Sequence, residues 1–164
     1  MIHAPSSRRL PSLLILAALI GLCLVIGYVG SLFTTPKIDD WYATLEKPSF
    51  NPPNWVFGPV WTTLYISMGV AAWLAWRGAG GRILSAPATL FAVQLALNLA
   101  WSIAFFGAES PSLGLAVIAP LWIVIAGTIA AFWSLSRTGA LLLVPYLVWV
   151  SFAAALNFEV WRLN

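Results

Sequence analysis

SLLILAALIGLCLVIGYVGSLF, residues 12–33, carries no charged residue and no proline. A bilayer core of ~30 Å is crossed by a helix of ~20 apolar residues, and this run has that length. The rest of the chain repeats the pattern. Residues 55–76 form a second apolar run, interrupted by Pro59. Residues 88–106 form a third, 113–135 a fourth containing Pro120, and 139–158 a fifth containing Pro145. No Asp, Glu, Lys, Arg or His lies inside any of the five. Prolines inside a membrane are tolerated where neighbouring helices satisfy the freed carbonyls, so local kinks are expected. The expectation is a single all-α domain over residues 1–164, an integral membrane five-transmembrane-helix bundle.

Composition points the same way. Hydrophobic residues make up 61% and charged residues 8%, against roughly 25% charged in soluble domains. With a mean hydropathy of +0.91, the chain lacks the polar surface to coat a water-exposed globule, and membrane lipid must be its solvent. The formal net charge of +3 is spread over helix ends and loops. No basic run is dense enough to track a phosphate backbone, which excludes nucleic acid as a partner. Cys23 and His3 are the only residues of their types. An internal disulfide, a zinc cluster and haem ligation by two histidines are excluded. The absence of ionisable residues in the spans argues against an ion channel, and the absence of an internal repeat against an inverted-repeat transporter. Ser7-Arg8-Arg9 before an apolar run is like a twin-arginine signal. The run is longer than the ~7–15 residues of a signal core, and no small-x-small site precedes the next loop, so it is expected to be retained.

Three connections, 77–87, 107–112 and 136–138, are short and make successive helices antiparallel neighbours. The connection 34–54, TTPKIDDWYATLEKPSFNPPN, is long. Long loops in a minimal bundle are functional or disordered. Trp41, Tyr42, Leu45 and Phe50 suit a lid folded over the bundle end. Counting Arg8, Arg9, Arg77, Arg82 and Arg137 against Lys37, Lys47 and Arg162 places the amino terminus inside and the lid outside.

Ten tryptophans exceed what a headgroup belt requires. Trp55, Trp73, Trp76, Trp133 and Trp161 fit such a belt near the ends of the runs. Trp149 lies mid-run and Trp61 about two turns inside, where an indole N–H needs a partner. Gln94, Asn98, Trp101 and Phe105 share one helical face, and burying an unpaired amide costs several kcal/mol. These amides must face a cavity or hydrogen-bond between helices. Tyr146, Trp149, Ala153 and Asn157 share a face on the fifth run, as do Trp61, Tyr65 and Met68 on the second. Ordinary aromatic packing explains any one stripe. Three together suit a box for a large apolar ring system, with small Ala153 leaving room. On the third run Ala92, Ala96, Ala100 and Ala104 form a small-residue ridge, which serves either a neighbouring helix or a second protomer.

Trp41-Tyr42, Leu45-Glu46-Lys47-Pro48, Asn51-Pro52-Pro53-Asn54-Trp55 and Pro59-Val60-Trp61-Thr62-Thr63-Leu64-Tyr65 occur in order. Gln94-Leu95, Asn98, Trp101, Pro145-Tyr146-Leu147-Val148-Trp149, Phe152-Ala153 and Leu156-Asn157 follow. This arrangement resembles the translocator protein, or tryptophan-rich sensory protein, family (TspO/MBR, peripheral-type benzodiazepine receptor) from Trp41 to Asn164. The resemblance implies a five-helix bundle, commonly a homodimer packed through the third helix, which tips the alanine ridge toward a protomer interface. It implies binding of porphyrins (protoporphyrin IX or haem) as ligands, with no cofactor required, for sensing, regulation or transport, and, in animal members, of cholesterol. The pocket positions it implies are Tyr42, Pro52, Trp61, Tyr65, Asn98, Trp101, Trp149 and Ala153. Animal members carry a proposed cholesterol motif with a tyrosine shortly before a basic residue. Here residues 156–162 read LNFEVWR without tyrosine, which favours a tetrapyrrole role and a bacterial cell envelope. No nucleophile–base pair or paired carboxylate supports ordinary enzymology. The alternative activity is light- and oxygen-dependent porphyrin degradation through Trp61 and Trp149, and a third reading is a purely structural membrane protein.

Overall fold

A computed structural model describes residues 9–82 and 85–164, with side chains from residue 12. His3, Ser7 and Arg8 lie outside the described residues. The described chain is helical: α1 (Arg9–Ile38), α2 (Trp41–Thr44), α3 (Phe57–Gly78), α4 (Ala86–Ser102), α5 (Pro111–Trp133), α6 (Arg137–Leu142) and α7 (Val144–Leu163). A 3-10 turn, Asn54–Val56, precedes α3, and a π-helical segment, Ile103–Gly107, continues α4.

Among the described residues, four helical stretches are long and apolar enough to cross a membrane: Ser12–Ile38, Ala86–Gly107, Pro111–Trp133 and Arg137–Leu163. The chain is a multi-pass membrane protein, and the five-transmembrane-helix expectation is corrected. The expected second span is α3. It has 22 residues and is long enough, but Gly58, Pro59, Trp61, Thr62, Thr63, Tyr65, Ser67, Trp73 and Trp76 dilute its apolar side chains. Thr62 and Thr63 turn their hydroxyls back onto the carbonyls of Gly58 and Pro59, each at 2.9 Å.

Local signals set most boundaries. Ser85, Ser110 and Ser136 cap α4, α5 and α6, their hydroxyls accepting from the N–H groups of Ala88, Leu113 and Gly139. Such caps satisfy donors that a helix start leaves unpaired. Pro87 and Pro111 sit in the first turns, where a missing N–H costs nothing. Leu143 separates α6 from α7 just before Pro145, which has no N–H to continue the ladder. α1 runs on to Ile38 with Pro36 inside it, past the expected end at residue 33. There Lys37 pairs with Glu109 beyond the π segment.

Lipid tails are as apolar as Leu, so helices in a membrane gain little by hiding from them and associate by close packing. α3 lies along α1, α4 along α5, and α7 against α5, while α6 fills the space beside α3. A Cβ on Gly69 would come within 2.6 Å of the Ile20 backbone, and one on Gly139 within 3.0 Å of the Ala71 carbonyl. The absence of side chains there is what brings α1 and α6 onto α3. The core between them holds Met68, Ile125, Phe132, Tyr146 and Val150, all essentially inaccessible.

Candidate functional site

A cavity of about 530 Å³ opens at the end of the bundle that carries residues 39–56. Its wall draws on α1, α3, the α4–π junction and α7. Of the eight expected pocket residues, Tyr42, Trp61, Tyr65, Trp101, Trp149 and Ala153 line it. Asn98 and Pro52 do not.

The aromatic walls are pre-aligned by mutual stacking. Trp61 lies on Tyr65 with ring centroids 5.6 Å apart and planes 29° from parallel. Trp101 lies on Phe105 at 5.4 Å and 21°. The π segment contributes here. Phe105 and Phe106 are adjacent in sequence, yet both are buried, at 3% and 8% exposure. The wider π turn lets both rings point inward, and such segments often mark functional sites.

Asn98 sits behind the wall and fixes it. Its Oδ1 accepts from the Tyr65 hydroxyl, and its Nδ2 donates to the Tyr146 hydroxyl at 3.1 Å. One amide on α4 therefore ties α3 to α7. Trp101 is held likewise: its indole N–H donates to Asn157 Oδ1 at 3.1 Å, and Asn157 Nδ2 donates to the Pro111 carbonyl at 2.8 Å. Trp149 differs, because its buried indole N–H has no protein partner among the described residues. Gln94, one turn from Asn98, is fully buried with both amide atoms unpaired among the described residues.

The segment above the cavity is tied down. Trp41 meets Phe105 edge-on at 5.5 Å. The Tyr42 hydroxyl donates to Asn51 Oδ1 at 2.9 Å, and Asn51 Nδ2 donates to the Pro52 carbonyl. Pro52 thus shapes the segment rather than the cavity wall. Burial pushes the Tyr42 phenol above its ordinary pKa. Lys47 lies 4.8 Å from the centre of the Tyr42 ring. The chain end closes the clasp: the Glu46 N–H donates to Asn164 Oδ1 at 3.0 Å, and Asn164 Nδ2 donates to the Glu46 carbonyl at 3.1 Å.

Sequence reasoning missed the contribution of α1. Gly27, Gly30, Ser31 and Thr34 line the cavity, and Gly27 leaves the room that the Tyr65 ring occupies. Their spacing is a small-residue stripe on one helical face, a signal hidden in an otherwise featureless apolar run. The alanine ridge lies elsewhere: Ala92 and Ala96 are exposed, while Ala100 and Ala104 are half-buried.

The TspO/MBR family model covers residues 19–162. The chain belongs to the TspO/MBR family. It is 53% identical over 154 residues to the tryptophan-rich protein TspO of Chlorobaculum tepidum, across 93% of this chain and 97% of that one. It is 44% identical over 139 residues to the human translocator protein, across 84% and 82% of the two chains. With the tryptophan-rich sensory protein of Cereibacter sphaeroides it shares 43% identity over 129 residues, 78% of this chain and 79% of the relative.

Proposed function

We propose that this membrane protein binds a large, flat, apolar ring ligand of the porphyrin class, protoporphyrin IX or haem, for sensing, regulation or transport. The observation that carries the reading is the aromatic cavity itself, with Trp61, Trp101 and Trp149 on three different helices around about 530 Å³. That volume falls in the ~300–1,000 Å³ range of small-molecule sites, whose walls are mainly apolar with a few polar groups. The stacked pairs Trp61–Tyr65 and Trp101–Phe105 offer ring faces to a planar molecule. The segment carrying Trp41 and Tyr42 acts as the lid, and Ala153 leaves space beside Trp149. Bacterial relatives support a bacterial cell envelope as its location. A homodimer packed through Ala92, Ala96, Ala100 and Ala104 accompanies this reading, since the two exposed alanines allow close backbone approach.

The test is quenching of tryptophan fluorescence during titration with protoporphyrin IX in nanodiscs, with inner-filter correction, for wild type and Trp149→Phe. Saturable quenching weakened in the variant supports the site. Linear quenching, equal in both proteins, means partition into the bilayer and refutes it. The degradation alternative is favoured by one observation, that Trp61 and Trp149 line the same cavity. It requires light- and oxygen-dependent loss of porphyrin absorbance that disappears when both are replaced by phenylalanine.

A further inference from the structure

Beside the cavity runs a second depression of about 630 Å³, on the outer face between α3 and α7. Val60 and Leu64 of α3 form one wall, and Val144, Pro145, Val148 and Phe152 of α7 the other. Val148 is 63% exposed and Val144 39%, so the groove faces the lipid. Trp149 lines both this groove and the cavity. Its ring is the partition between them.

Three observations make that partition a movable one. First, α3 packs closely along α1 and α6 but its backbone scarcely approaches α7, whereas α1–α4, α4–α5 and α5–α7 are closed by direct helix packing. The α3–α7 seam is therefore filled by side chains. Second, the Trp149 indole N–H, like that of Trp76, has no protein partner among the described residues. Trp73, Trp101 and Trp122 are each anchored, to Ser12, Asn157 and Ser151. Turning Trp149 breaks no hydrogen bond. Its ring contacts are the edge contact with Phe57 at 5.9 Å and the tilted contact with Phe152 at 5.5 Å, beside its packing on the apolar core. Third, the helix break at Leu143 lies at the end of the groove, next to Val144 and Pro145. A break there leaves no continuous helix along that end of the groove, while Tyr146 one turn on stays held by Asn98.

We infer that the α3–α7 groove is a lateral portal, through which an apolar planar ligand dissolved in the bilayer reaches the cavity as Trp149 swings aside. The inference rests on the cavity being a ligand site. A molecule apolar enough for that cavity partitions into lipid, and a path through the bilayer spares it a passage through water beneath the lid.

The test separates path from site. Blocking a path slows arrival and departure alike and leaves the equilibrium constant unchanged. Val148→Phe and Val60→Phe would fill the groove from its two walls. Gly58→Leu, where a Cβ meets open space, would crowd the cavity mouth below the lid. Stopped-flow quenching by protoporphyrin IX in nanodiscs would give both rate constants, and size-exclusion would check fold and oligomeric state. Both groove variants should slow association and dissociation about tenfold, the effect of ~1.4 kcal/mol of added barrier, with Kd unchanged. Unchanged rates with normal Kd overturn the portal and leave the cavity site standing. Slowing by Gly58→Leu alone places access under the lid and also overturns it. So does a change of oligomeric state in Val148→Phe, which would give the groove to a second copy. Absence of saturable binding in wild type removes the site and the portal together.

Discussion

Replacing Asn98 with leucine tests whether the cavity wall is held by one buried amide. Asn98 is 2% exposed, Tyr146 0% and Tyr65 7%. The substitution removes the acceptor for the Tyr65 hydroxyl and the donor to the Tyr146 hydroxyl. Interhelical hydrogen bonds in membranes contribute about 0.6 kcal/mol on average, so as simple glue the pair would be worth about 1 kcal/mol. Stranding two buried phenols is a larger effect, about 1–3 kcal/mol for each unsatisfied group. The orphaned groups dominate, and Asn98→Leu should destabilise by about 2–4 kcal/mol. The triple variant Asn98→Leu, Tyr65→Phe, Tyr146→Phe strands nothing and should recover to within about 1 kcal/mol of wild type, because matched apolar replacement is nearly neutral. Reversible unfolding in mixed micelles, followed by far-ultraviolet circular dichroism, reads both values. A triple variant no more stable than Asn98→Leu alone would refute the reasoning. So would an Asn98→Leu protein within about 0.5 kcal/mol of wild type, the range of an inconsequential surface change.

Ala153→Thr should weaken protoporphyrin IX binding in the quenching titration without unfolding the protein, because Ala153 lines the cavity and a larger side chain takes its space. Unchanged affinity would move the ligand away from α7. Gly69→Val should lower stability by about 1–3 kcal/mol or more, the cost of overpacking, since the atom a Cβ meets is the Ile20 backbone at 2.6 Å; equal unfolding midpoints would deny the close α1–α3 approach. Burial holds the Tyr42 phenol above its ordinary value of 10.0. Lid docking should therefore be constant below that pH and weaken as pH rises above it, where the undocked phenol ionises first. Limited proteolysis of the lid against pH reads this, and Tyr42→Phe should remove the alkaline step.

Much of this architecture was legible because membrane helices announce themselves by length and apolarity. The four apolar stretches coincide with expected runs to within a few residues, apart from the extension of α1 to Ile38 and the later end at Leu163. The cavity residues on α3, α4 and α7 could be picked out because Trp, Tyr and Asn in mid-helix demand a reason in a medium without water. What stayed hidden was information carried by backbone geometry. The π turn that brings Phe105 and Phe106 inward together has no periodicity signature. The role of Asn98 depended on which hydroxyls the fold places opposite it. Pro52 was placed in the pocket by resemblance, but its carbonyl serves the turn that holds Tyr42.

The correction at α3 follows from the same chemistry as the site. Trp61, Thr62 and Tyr65 line the cavity, and each replaces an aliphatic residue that would have raised the apolarity of the helix. A helix that turns indole and phenol rings toward a cavity cannot also be uniformly lipid-like. α1 lines the cavity with Gly27 and Gly30 but also with Tyr28, Ser31 and Thr34, and stays apolar because the rest of the helix is aliphatic. α1 contributes volume through Gly27 and Gly30, while α3 contributes the stacked rings of Trp61 and Tyr65. Exchanging those roles, by giving α3 aliphatic residues at Trp61 and Tyr65, would make a better membrane helix and dismantle the wall that Asn98 holds in place.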